Sequence, residues 1–168
     1  MRKKVRIAGI VKESIVDGPG IRFVVFAQGC KHQCDGCHNP ATHDFNGGYL
    51  VDVDAIINEM KKNPLLDGIT LSGGEPFEQP EAFCELAKRS KELGYHVMAY
   101  TGYTYETLME KKNEPRLRLL ENTDLLVDGK FEMEKKSLML KFRGSQNQRI
   151  IDVKKSQREN RLTLSEII

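Results

Sequence analysis

The chain has 168 residues, 39% of them hydrophobic and 30% charged, and a formal net charge of +2. This describes a single globular domain spanning residues 1–168, and it excludes a disordered tail protein and a strongly basic nucleic-acid binder. No apolar run approaches the ~20 residues of a membrane span, and Met1-Arg2-Lys3-Lys4 leads into residues 5–11 with no apolar signal core, so a cytoplasmic chain with no membrane or nucleic-acid partner is expected.

Residues 5–11 and 21–27 are β-rich and read as strands, separated by the turn Asp17-Gly18-Pro19-Gly20. Residues 51–62 have helical spacing, with Val53, Ile56, Ile57 and Met60 on one face and Asp52 or Asp54 as cap. A short strand follows at 68–71. A second helix is predicted over 79–93, with Phe83, Leu86 and Leu93 inward and Gly94 ending it. Residues 95–100 read as a strand, 105–120 as a helix broken near Pro115, and 125–127 as a strand. Residues 138–142 and 149–153 are predicted late strands. Met98 and Met133 read as core fillers, and Cys84 as a half-buried thiol inside the second helix.

Alternating strands and helices predict an α/β protein with a mainly parallel sheet. A complete eight-fold barrel needs roughly 250 residues. The expected architecture is therefore an incomplete TIM-type barrel of about five to six parallel strands with outer helices. The unusual residues follow one rule. The cysteine cluster, Ser72-Gly73-Gly74-Glu75-Pro76, Thr101-Gly102 and Asp128-Gly129-Lys130 each come just after a predicted strand. In a parallel sheet those ends share one face, where sites are built.

Three of the four cysteines, Cys30, Cys34 and Cys37, lie in one short loop as C-x3-C-x2-C. Such crowding is a poor disulfide framework and reads as a metal or catalytic site. Three thiolates can hold three corners of an iron–sulfur cube and leave one iron open to a ligand. The alternatives are a structural zinc site with His32, His38 or His43 as fourth ligand, and reactive or incidental thiols. No Ser-His-Asp set, P-loop or carboxylate pair accompanies the loop. Two glycines in Gly73-Gly74-Glu75-Pro76 let backbone approach a ligand closely, and Pro76 stiffens the exit.

The cysteine loop after a strand, followed by Gly73-Gly74-Glu75-Pro76, resembles the radical S-adenosylmethionine superfamily. Asp17-Gly18-Pro19-Gly20-Ile21-Arg22, Gln28-Gly29-Cys30 and Cys37-His38-Asn39-Pro40 narrow the resemblance to its glycyl-radical-enzyme activating group. The blocks 100–104, 126–131 and 142–149 are similar to the branch that activates the anaerobic ribonucleoside-triphosphate reductase. The resemblance implies a [4Fe–4S] cluster on Cys30, Cys34 and Cys37, with S-adenosylmethionine chelating the fourth iron. Reductive cleavage would give a 5′-deoxyadenosyl radical, which would take a hydrogen atom from a glycine of the reductase large subunit. Reduced flavodoxin or a similar donor is implied. The residue before the third cysteine, an aromatic in many members of the superfamily, is Gly36 here, so adenine is expected on the backbone of Gly36, Cys37 and His38 and on the His38 imidazole. The resemblance also assigns contacts: Gly73, Gly74 and Glu75 to the methionine end, Asp128 and Lys130 to the cofactor, and Asp17 to the partner's glycine loop. Ser145, Asn147 and Arg149 are candidates for the same cleft.

Overall fold

The computed structural model describes residues 3–32, 34, 40–110 and 112–166. Among the described residues, seven strands form one mixed, open sheet in the order β3-β1-β2-β4-β5-β6-β7. They are β1 (Lys4–Ser14), β2 (Arg22–Ala27), β3 (Tyr49–Asp52), β4 (Gly68–Gly73), β5 (His96–Tyr100), β6 (Leu125–Asp128) and β7 (Arg149–Asp152). The helices are α1 (Val53–Lys61), α2 (Pro80–Glu92), α3 (Tyr105–Leu108), α4 (Glu114–Glu121) and α5 (Val153–Glu159).

Only β2, β4, β5 and β6 run parallel, fewer than the five or six expected; β1, β3 and β7 pair antiparallel. The reason is the connections. A parallel neighbour needs a crossover, usually a helix. Residues 15–21 join β1 to β2 with a turn alone. Residues 129–148 carry only the single 3-10 turn Met133–Lys135 before β7, so the chain folds back beside β6. The short strand β3 is absent from the expectation. It opens the segment read as all helix, and it is held by ladder bonds to residues 4–7 rather than by a strong pattern of its own.

Strand residues alternate between two faces. Phe23, Val25, Ile69, Leu71, Val97, Ala99 and Leu126 point to the helix-covered side and join the main core. The apolar face of α1, Val53, Ile56, Ile57 and Met60, is fully buried there, each side chain contributing about 1.5–3 kcal/mol. Met98, Leu125, Val127 and Ile150 form a smaller cluster on the other face, with Tyr100 and Phe142 against it. That second face carries the cleft.

Four local expectations are corrected. Leu93 lies past the end of α2 and is exposed. Residues 138–142 pair with no strand, and Leu138 and Met139 are 89% and 92% exposed. Met133 is half exposed, on a surface turn, whereas Met98 is core. Pro115 begins α4 rather than breaking a long helix, because a proline in the first turn loses no helical bond. Cys84 is half-buried, as expected; burial pushes its thiol upward, and Asn122 Nδ2 approaches its sulfur at 3.6 Å. No helix among the described residues is long and apolar enough to cross a membrane.

Candidate functional site

The parallel register sets the strand ends level: Ala27 pairs with Gly73, Leu71 with Ala99, and Tyr100 with Val127. The loops that leave these ends meet around a cleft of about 680 Å³, a size suited to a cofactor. Its walls include Cys30, Cys34, Gly73, Gly74 and Lys130, with Phe26 and Tyr100 from the strands below. Asp17 and Val16 reach it from the β1–β2 turn, and Leu138, Phe142 and Arg143 from the loop before β7. Four segments far apart in sequence thus converge.

The base of the cysteine loop is tied on both sides. Gly74 N–H donates to Ala27 O at 2.7 Å, and Glu75 N–H to Gly29 O at 2.8 Å. On the return limb, Gly29 N–H donates to Thr42 O at 2.7 Å and Cys30 N–H to His43 O at 3.2 Å. Gly73 has φ +85°, and a Cβ there would lie 2.6 Å from Ala27 N. Only glycine lets this turn press against the end of β2.

Glu75 is the hub. It is wholly buried, and both carboxylate oxygens are occupied by protein donors. His32 Nε2–H donates to Oε1 at 2.6 Å, and Gly102 N–H to the same oxygen at 2.7 Å. Phe77 N–H donates to Oε2 at 3.1 Å, and Thr101 Oγ1 lies 2.9 Å from each oxygen. The carboxylate therefore joins the cysteine loop to the ends of β4 and β5. His32 is also held edge-on by the Tyr103 ring at 4.6 Å and lies against Gly102, where a Cβ would fall 2.4 Å from its ring. Lys31 adds a weaker exposed contact to Glu78 at 3.4 Å. Glu75 stands out in the sequence only as part of its turn; its partners His32, Thr101 and Gly102 are 26 to 43 residues away.

Asp128 is buried at the end of β6. Arg149 Nε–H donates to Oδ1 at 3.0 Å, Arg149 Nη2 contacts Oδ2 at 2.5 Å, and Tyr105 N–H donates to Oδ2 at 2.7 Å. These bonds raise the Arg149 guanidinium above its ordinary value, Asp128 first and Glu106 second. Asp128 thus pins β7 and the start of α3, and it is the neighbouring Gly129 and Lys130 that line the cleft. Asn147 Nδ2–H holds the Lys130 carbonyl at 2.8 Å, and Ser145 is buried with its hydroxyl on Asn147 Oδ1. Arg149 lies behind the wall on Asp128 and Glu106. Asp17 Oδ2 accepts from Ser14 Oγ at 2.5 Å, and Thr70 Oγ1 holds the Asp17 carbonyl at 2.7 Å. Arg22, fully buried, braces the same turn through Pro19 O at 2.8 Å and β4 through Ile69 O at 2.8 Å. Gly36, Cys37 and His38 lie outside the described residues.

The donor set fits a sulfur-ligated group. Cys30, Cys34 and His43 all line the cleft, and His43 has a buried Nε2 with no hydrogen-bond partner among the described residues. Leaving such an atom unsatisfied costs about 1–3 kcal/mol, so the site is built for an occupant. His32, one of the zinc-ligand candidates, has its Nε2 on Glu75 instead.

A family profile described as a 4Fe-4S single cluster domain matches residues 16–151. The anaerobic ribonucleoside-triphosphate reductase-activating protein of Escherichia coli K12 is 35% identical over 143 residues, 80% of this chain and 90% of that one. Its Vibrio cholerae counterpart is 37% identical over 142 residues, covering 80% and 89%. The pyruvate formate-lyase-activating enzyme of Clostridium pasteurianum is 38% identical over 128 residues, 73% of this chain, and the match spans 50% of that longer enzyme. The crystal structure of QueE from Escherichia coli aligns with a TM-score of 0.46 at 15% identity, over 60% of this chain and 54% of that one. The chain is a radical S-adenosylmethionine enzyme of the class that carries a single [4Fe–4S] cluster and activates glycyl radical enzymes. Within that class it belongs to the family of the anaerobic ribonucleoside-triphosphate reductase-activating proteins.

Proposed function

We propose that this chain installs the glycyl radical on an anaerobic ribonucleoside-triphosphate reductase, with a [4Fe–4S] cluster on Cys30, Cys34 and Cys37 and S-adenosylmethionine on its open iron. The observation that carries the reading is the joining of the Cys30 loop to the Gly73-Gly74-Glu75 turn at the mouth of one cleft. Cys30, Cys34 and Cys37 would hold the cluster, which would supply one-electron reductive cleavage of S-adenosylmethionine and, through it, hydrogen-atom abstraction from the partner's glycine.

The chain's own residues position and shield. Glu75 fixes the cysteine loop through His32 and fixes the Thr101-Gly102 loop beside it. It is a positioning residue, with both oxygens already engaged by protein. The Gly73-Gly74 backbone and the Gly36–His38 segment are the surfaces we assign to the methionine and adenine ends. Lys130 faces the cleft from the opposite strand end and suits the cofactor's carboxylate; Asp128 contributes by anchoring that strand end through Arg149. Phe26, Tyr100 and Phe142 wall the cleft and exclude water, which protects a radical from side reactions. Hydrogen-atom transfer needs no acid or base, which accounts for the missing proton-transfer set.

The cleft mouth supports a protein partner. Ile15 and Val16 are 76% and 73% exposed on one segment beside it, and Leu138 and Met139 are still more exposed on another. Exposed apolar side chains grouped at a site mark interaction surfaces. Asp17, which lines the cleft next to Val16, is the residue we assign to gripping the glycine loop. We further infer that the open sheet is an incomplete barrel whose open side admits that loop, that residues 1–168 act as one domain, and that a reduced flavodoxin or similar donor feeds the cluster in an anaerobic cytoplasm.

The reading is tested by anaerobic reconstitution followed by iron and sulfide analysis and chromatography after adding reductant and S-adenosylmethionine. About four irons and four sulfides per chain, with release of 5′-deoxyadenosine and methionine, are expected. A colourless chain with one zinc and no cleavage would refute it.

A further inference from the structure

His43 has no role in the reading above, yet it is fixed beside the first cysteine. Its carbonyl accepts from Cys30 N–H at 3.2 Å, and the preceding carbonyl, Thr42 O, accepts from Gly29 N–H at 2.7 Å. The return limb therefore cannot shift without moving the base of the cysteine loop. His43 lines the cleft together with Cys30 and Cys34. Its Nε2 is buried and lacks a hydrogen-bond partner among the described residues. Other polar groups near the loop are satisfied by protein: His32 by Glu75, and the Gln28 amide by the carbonyls of Ala41 and Asp44. A buried imidazole nitrogen left over beside a cysteine loop needs a partner that the bound group brings, and the electron-rich sulfurs of a cluster would accept from its N–H tautomer.

We propose that His43 is a hydrogen-bond donor, through Nε2–H, to the sulfur shell of the cluster held at Cys30, and that it raises the cluster's reduction potential. The proposal rests on the reading that this cleft holds the cluster. Cluster sulfurs become more electron-rich on reduction, so an N–H aimed at them stabilises the reduced form more than the oxidised one. The neutral imidazole suffices; no proton is transferred. His43 is then a positioning and tuning residue, distinct from the ligands.

The test compares wild type with His43→Phe and His43→Gln, each reconstituted anaerobically without S-adenosylmethionine. Iron and sulfide are counted, and the midpoint potential is read by redox titration followed by electron paramagnetic resonance. His43→Phe keeps a planar ring and removes the donor; it is expected to load the full cluster at a more negative potential. His43→Gln places an amide N–H near the position of Nε2 and should move the potential back toward wild type. A fully loaded His43→Phe at unchanged or higher potential overturns the proposal. Should His43→Phe fail to load, His43→Leu replaces it; failure of both to load makes the ring a structural prop and equally overturns the proposal. A wild-type chain that takes up no iron would instead overturn the cluster reading itself.

Discussion

Glu75→Gln separates a strut from a cofactor contact. Oε1 receives the His32 and Gly102 N–H groups, Oε2 receives the Phe77 N–H, and Thr101 Oγ1 spans both. A glutamine has one acceptor oxygen. With that oxygen in the Oε1 position, its NH₂ faces the Phe77 N–H, leaving at least that N–H and one new amide hydrogen without acceptors. The opposite orientation strands more donors. Two buried donors at about 1–3 kcal/mol each predict a loss of about 2–6 kcal/mol, a large share of the about 5–15 kcal/mol that holds a typical domain together. Urea unfolding of the anaerobically purified proteins, followed by circular dichroism, reads this loss from the shift in midpoint. A variant within about 0.5 kcal/mol of wild type but with weakened S-adenosylmethionine binding would refute the strut and make Glu75 a direct contact.

Gly102→Ala puts a methyl 2.4 Å from the His32 ring; we expect lower iron loading on reconstitution with an unchanged far-ultraviolet spectrum, and full loading would show that His32 has no part in holding the loop. Burial first, and the Arg22 guanidinium second, hold the His96 imidazole below its ordinary 6.5, with Lys91 adding to the effect and Asp124 and Asp152 opposing it. Below 6.5 the unfolded chain binds a proton that the folded chain refuses, so His96 costs stability as pH falls from 6.5 toward its folded value and adds no further loss below that. His96→Asn, which keeps an acceptor for Arg22 Nη2, should lose less stability than wild type between about pH 7 and about pH 5.5 in urea titrations; parallel losses would contradict the assignment. Leu138→Asp with Met139→Asp should leave stability within about 0.5 kcal/mol, since both side chains are solvent-exposed, yet reduce activation of the reductase while S-adenosylmethionine cleavage continues. Undiminished activation would remove this rim from the docking surface.

The position of the site was readable because it depends on local signals. Each loop of unusual residues follows a β-rich run, and parallel pairing of β2, β4, β5 and β6 brings those ends together. The Cys30 and Gly73-Gly74 segments therefore meet as expected. The job of Glu75 was not readable, because its acceptors serve donors at His32, Thr101 and Gly102, which sequence spacing does not connect. The cofactor contact expected of Asp128 comes from the resemblance alone; its tie to Arg149 depends on β7 turning antiparallel beside β6, which no periodicity announces. Residues 138–142 have the composition of a strand, but composition cannot supply a partner edge, and Leu138 and Met139 end in solvent. The role proposed for His43 rests on a feature no spacing shows, a buried Nε2 with no hydrogen-bond partner among the described residues in a residue that lines the cleft.

Electron paramagnetic resonance of the reductase bears most directly on the central claim. The reconstituted, reduced chain is mixed with S-adenosylmethionine and anaerobic ribonucleoside-triphosphate reductase under strict exclusion of oxygen. A glycyl doublet on the reductase, absent when Cys34→Ala replaces wild type and retained with Cys84→Ala, is the predicted result. A doublet that survives Cys34→Ala, or no doublet from a fully loaded wild-type chain that cleaves S-adenosylmethionine, would contradict it.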